Sequence, residues 1–176
     1  MVQVRVATFN CENLFARYNF KKNVKPEKAV KDGWLANQTA FELNSKEEKQ
    51  ITAEAIKAAH ADVIALQEVE NFEVLRKFCT AYLGGRKQYP YAVLIDGNDP
   101  RLIDVAVLSR FPLDGITTHW HEWDTPLKSP TFSRDCLGCD VLLPQDKRLR
   151  LFVNHLKSMM DMKEPCKGRR KTRTKR

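Results

Sequence analysis

The stretch Val63-Ile64-Ala65-Leu66-Gln67-Glu68-Val69-Glu70 sets four apolar residues directly against a Gln-Glu pair. A run of this kind, following Asp62, reads as a short strand buried on both faces, as in α/β sheets. The acid at its end is the more telling feature. A carboxylate there cannot stay buried unpaired, so Glu68 reaches solvent, pairs with a cation or binds a metal ion. In open α/β sheets ligands gather outside the carboxyl ends of the strands, and Glu68 stands at such an end.

Outward from that strand, Val2 to Phe9 alternates apolar and polar residues and then turns continuously apolar, which predicts a first strand entering the core. Asn10 follows, a residue favoured where a chain turns, so it is expected at the same sheet edge as Glu68. Residues 16–45 are polar and read as a long surface loop. Ser45-Lys46-Glu47-Glu48 has the capping-box form, with Ile51, Ala55, Ala58 and Ala59 at helical spacing behind it, which predicts a helix from about Lys46 to His60. Asn71 is placed to cap a second helix with Phe72, Leu75, Phe78, Cys79 and Tyr82 on one stripe, stopped by Gly84-Gly85. Strands are then expected at Tyr91–Ile95 and Ile103–Ser109, around the turn Asp96-Gly97-Asn98-Asp99-Pro100. Residues 117–132 support no element. Arg134–Leu142 and Leu149–His155 read as an antiparallel hairpin joined by Pro144–Arg148. This order suggests a mixed sheet with helices on one outer face.

Composition bounds the rest. The chain has 176 residues and 43% hydrophobic content, enough for one domain with a real core. No apolar run approaches a membrane span and no export signal is visible, so a soluble, cytoplasmic protein is expected. Five scattered cysteines argue for reduced thiols, and Cys136-x-x-Cys139 has no second pair to complete a zinc site. The net charge of +8 is uneven: Lys163 to Arg176 holds eight Lys/Arg against Glu164, leaving 22 basic and 21 acidic residues before it. The domain is therefore expected at 1–162 with a basic tail at 163–176, which either binds nucleic acid or is simply solvated.

Thr8–Phe15, Ala65–Glu70, Gly97–Arg110, Phe132–Leu137 and Phe152–Ser158 occur in one order, and together they resemble the endonuclease/exonuclease/phosphatase superfamily. The resemblance implies a four-layer α/β sandwich of the deoxyribonuclease-like type and metal-dependent cleavage of phosphate esters. It makes Glu68 the metal-binding glutamate, and a hard oxygen ligand suits Mg²⁺, with Mn²⁺ as a substitute. It makes Asn10 the asparagine that orients a metal ligand or a phosphate oxygen, and Arg134 the arginine that contacts phosphate through its fixed fork of donors. His155 becomes a catalytic histidine oriented by Asp96, able to donate to a phosphate oxygen or leaving group. Plainer roles stay open: Asn10 and Asp96 as turn residues, Arg134 in a salt bridge with Asp135 or Asp140, Asp104 as either a ligand or a buried hydrogen-bonding group.

The superfamily also expects an Asp-x-Asn, a further Asp and an Asp-His pair beyond the histidine strand, none of which follows His155 here. The expectation is thus an incomplete, N-terminal part of such a domain, inactive or weakly active. Its substrate would be a phosphate ester, as in DNA, RNA, a phospholipid or an inositol phosphate. Exposed core surface would favour instability or self-association.

Overall fold

A computed structural model describes residues 3–14, 46–99, 101 and 103–156. The expected loop at 16–45, the Ser45 cap and the basic tail lie outside the described residues. The elements in order are β1 (Val6–Leu14), α1 (Lys46–Ala58), β2 (Val63–Val69), α2 (Phe72–Tyr82), β3 (Tyr91–Leu94), β4 (Asp104–Ser109), β5 (Leu113–Thr117), β6 (Trp123–Asp124), β7 (Ser129–Pro130), β8 (Leu137–Leu143) and β9 (Lys147–Val153). No helix among the described residues is long and apolar enough to cross a membrane.

The strands form a mixed sheet in the order β1-β2-β4-β3, an antiparallel sheet β5-β8-β9 and the small β6-β7 pair. β1 and β2 run parallel, while β4 is antiparallel to both β2 and β3. Period-two alternation assigns the faces of the larger sheet. Ile64, Leu66, Ala106 and Leu108 pack with Ala53 and Ile56 of α1 and Val74, Leu75 and Phe78 of α2. Their neighbours Val63, Val105 and Val107 point the other way, against Leu137, Cys139 and Val141 of the second sheet. Helices, sheet and sheet thus make three layers around two apolar cores, an α/β architecture. An outer helix layer on the second sheet, which a four-layer sandwich requires, is not seen among the described residues.

Local chemistry fixes α2 at both ends. Asn71 Oδ1 accepts the Val74 N–H at 2.9 Å, and Gly84 takes the left-handed conformation (φ 84°) that ends the helix. The β8-β9 hairpin pairs Leu143 with Lys147, so its loop is tighter than the sequence indicates, and Gln145 and Asp146 both take positive φ to close it. Cys11, Cys79, Cys136 and Cys139 are buried free thiols.

Two strands depart from regular alternation where it matters. In β1 the register shifts between Asn10 and Leu14, with Glu12 at φ 49°. In β2 it shifts between Gln67 and Val69, with Glu68 at φ 62°. Strict alternation would aim Glu68 into the apolar core beside Ile64 and Leu66. The bulge gives that side to Val69 and frees the carboxylate from it. Asn10 therefore lies within β1, at its last regular pairing with Gln67, and not at the strand's end as expected.

Candidate active site

Four segments meet beyond these bulges: the ends of β1 and β2, residues 95–99 after β3, the segment 131–136 entering β8, and residues 154–156 leaving β9. Glu68 is central. Asn10 Nδ2 donates to Glu68 Oε1 at 3.1 Å, and Asn10 Oδ1 accepts the Glu12 N–H at 2.8 Å, which fixes the amide's orientation. His155 Nε2 lies 3.5 Å from the same Oε1. The structure thus brings Asn10, Glu68 and His155 together.

Arg134 joins them through charge. It is 8% exposed, and its Nε lies 2.9 Å from Asp99 Oδ2 in an ion pair whose N–H is not aimed for a hydrogen bond. The plainer alternative, a salt bridge with Asp135 or Asp140, is not formed; Asp140 takes Arg148 and Arg150. Asp99 also receives Arg101 in a fork, Nε to Oδ1 at 3.1 Å and Nη2 to Oδ2 at 2.9 Å. Arg101 hydrogen bonds, opposed by burial, hold the Asp99 carboxyl below the usual range.

Burial and the Arg134 guanidinium lower the His155 pKa, against an opposing pull from Glu68. The lowered value favours the neutral ring at pH 7, and among the described residues its Nδ1 is buried without a partner. A buried N–H lacking an acceptor is costly, so the proton belongs on Nε2, facing Glu68. Asn98, Ser133, Arg134, Asn154 and His155 line a cleft of about 400 Å³.

Asp96 is exposed, and no hydrogen bond or ion pair joins it to His155. The expected Asp96–His155 pair is not formed because the loop is pinned one residue later, where Gly97 N–H donates to Asp104 Oδ1 at 2.8 Å. Asp104 is a buried acceptor, the hydrogen-bonding alternative of its two expected roles. Asp99 and Arg101 were missed by the sequence reading, although Arg101 lies in the Gly97–Arg110 stretch and its planar fork was a usable signal. Cys11, beside Asn10, is pushed up to about 12 by burial and by Glu68, which favours the thiol.

Residues 7–140 match the Endonuclease/Exonuclease/phosphatase family, a span that includes Asn10, Glu68, Asp99 and Arg134. The chain belongs to this family. Its members act on phosphate-ester substrates and generally use divalent metals. Among curated proteins, none matches the sequence.

The residues present fit a metal only in one way. Among the described residues no group of three or more His, Cys, Asp or Glu side chains converges to hold an ion. A hydrated divalent ion on one carboxylate, completed by waters and substrate phosphate, would fit Glu68 with its amide neighbour Asn10.

Proposed function

We propose that this end of the molecule is a metal-dependent phosphodiester-cleaving site of nuclease type. The observation that carries the reading is an oriented carboxylate, Glu68, set beside a histidine that shares one cleft with a buried guanidinium. Glu68, held by Asn10, would carry Mg²⁺, with Mn²⁺ as a substitute. Bound there, the ion would supply Lewis-acid stabilisation of charge developing on the phosphate oxygens. Arg134 would bind non-bridging oxygens, its position fixed by Asp99 and its charge available at every working pH. His155 would donate an Nε2–H hydrogen bond to a phosphate oxygen. Asp96, exposed and unpaired with His155, has no geometric support for the orienting role the resemblance implies.

The basic residues 163–176 favour a nucleic-acid substrate over an inositol phosphate, because clustered Lys/Arg attach to a polyphosphate backbone. With one carboxylate at the centre, turnover is expected to be slow, and metal binding is the firmer measurement. Calorimetric titration with Mg²⁺ should give heat of binding for the unmodified chain and none for Glu68→Gln at unchanged melting temperature. Any hydrolysis of single-stranded DNA should disappear with EDTA, return with Mg²⁺ or Mn²⁺, and fall at least about 100-fold in His155→Ala. Mg²⁺ binding that survives Glu68→Gln intact would refute the assignment.

A further inference from the structure

Trp120 and Trp123 are 45% and 60% exposed, although large aromatic rings ordinarily bury most of their surface. Both lie in the segment 118–132, whose short strands β6 and β7 pair Trp123 with Pro130 and Asp124 with Ser129. Ser129, Pro130, Thr131 and Phe132 form a wall of the cleft that holds Arg134 and His155. Trp123 therefore stands about 5 Å, one strand spacing, behind that wall.

The segment is fastened. The Asn98 side-chain amide donates to the carbonyl of Trp120 and, at 3.3 Å, to that of Phe132, tying both arms to the loop that carries Asp99. Thr131 N–H donates to Glu122 O at 2.9 Å, and Leu127 N–H to Asp124 Oδ1 at 2.9 Å. Exposed rings on an anchored backbone lose little freedom when a ligand covers them.

We infer that this hairpin is a base-stacking arm, and that the strand entering the cleft is unpaired nucleic acid. The chemistry selects a neutral, flat occupant. Glu122 and Asp124 flank Trp123 in sequence, and their charge opposes a phosphate on this hairpin. They also oppose entry into a bilayer, where carboxylates would have to be desolvated, and the tip Thr125-Pro126-Leu127-Lys128 offers one large apolar side chain. A nucleobase brings no charge and stacks on any aromatic face. In a duplex those faces are already occupied, so the base must come from a single strand. The inference rests on the phosphate-binding reading of the cleft, which supplies the strand's path.

The test uses the full chain in EDTA, at about 0.2 M salt to weaken attachment by the basic residues 163–176. Three ligands are titrated: oligothymidylate of about ten nucleotides, an abasic strand of equal length, and phosphatidylcholine vesicles. Trp123→Ala should weaken the thymidylate strand about 5- to 100-fold, leave the abasic strand unchanged, and leave thermal unfolding unchanged. Trp123→Phe should restore most of the loss, and Trp120→Ala should act in the same direction. Arg134→Ala should weaken both strands. Equal thymidylate affinity of Trp123→Ala and the parent overturns the stacking arm, as does an equal loss on both strands, or tryptophan emission that responds to vesicles and not to the oligonucleotide. A Trp123 effect confined to thymidylate, with Arg134→Ala altering neither strand, overturns the phosphate cleft and leaves the arm standing.

Discussion

Asp104 is an acid held where its charge is unwelcome. It is 2% exposed at the start of β4, and its pKa is raised to about 6 by burial, with Asp96, Asp99 and Asp135 adding to the shift and the Gly97 N–H opposing it. The folded state thus binds a proton that the unfolded chain has released, between the ordinary value of 3.8 and about 6. Stability from this group is full below that window and is lost as pH rises through it. Asp104→Asn keeps the Oδ1 acceptor without the charge. It is expected to flatten that decline and to raise the melting temperature at pH 7 by several degrees, read from thermal unfolding across about pH 4 to 8. An identical pH profile in the variant would contradict the assignment. At this scale the placement of Glu68 and Asn10 beside apolar runs was legible, whereas Arg134 and His155 entered only through the family resemblance. The Asp99 partnership was not. Asp96-Gly97-Asn98-Asp99 reads locally as turn chemistry throughout, and only the docking of residue 134 against residue 99 selects one of its acids.

Among the elements, the loop at 95–99 does the positioning. A Cβ on Gly97 would come within 2.9 Å of the Asp135 backbone nitrogen and 3.0 Å of Asp104 Oδ1, so the loop rests directly on the segment that presents Arg134. Gly97→Ala is expected to cost about 1–3 kcal/mol as the two segments part, and to weaken oligonucleotide binding with it. Urea unfolding and a binding titration of the variant measure both, and unchanged affinity would detach the loop from Arg134. Legibility followed the same division. β2, β4 and α2 carry strong periodic signals and lie within a few residues of their expected bounds; α1 keeps its bounds but buries Ala53 and Ile56, while Ile51, Ala55, Ala58 and Ala59 of the expected stripe are exposed. β5, β6 and β7 went unread, since strands of five and two residues are set by long-range pairing and not by their own pattern. The bulges were invisible for a different reason: counting in twos assumes the regularity that Glu12 and Glu68 break.

For the whole molecule, β2 and β4 serve both apolar cores, one on each face, so the helix layer and the second sheet share a single support. Among the described residues β1 and β9 are edge strands, and Phe152 on β9 is 58% exposed. We expect concentration-dependent self-association through these edges, with sedimentation velocity giving species heavier than 20.3 kDa as concentration rises. A compact monomer at all concentrations, unfolding in one cooperative step, would contradict it. The α/β class was legible from the order of strands and helices, but the division into two sheets follows from which faces close on each other, a relation between distant segments. One local feature reaches to this scale. A glutamate in the left-handed region costs about 1 kcal/mol or more, which glycine would not incur. A redesign ranked by folding free energy alone would therefore exchange Glu68 early, gaining thermal tolerance while erasing the acid on which the site is centred.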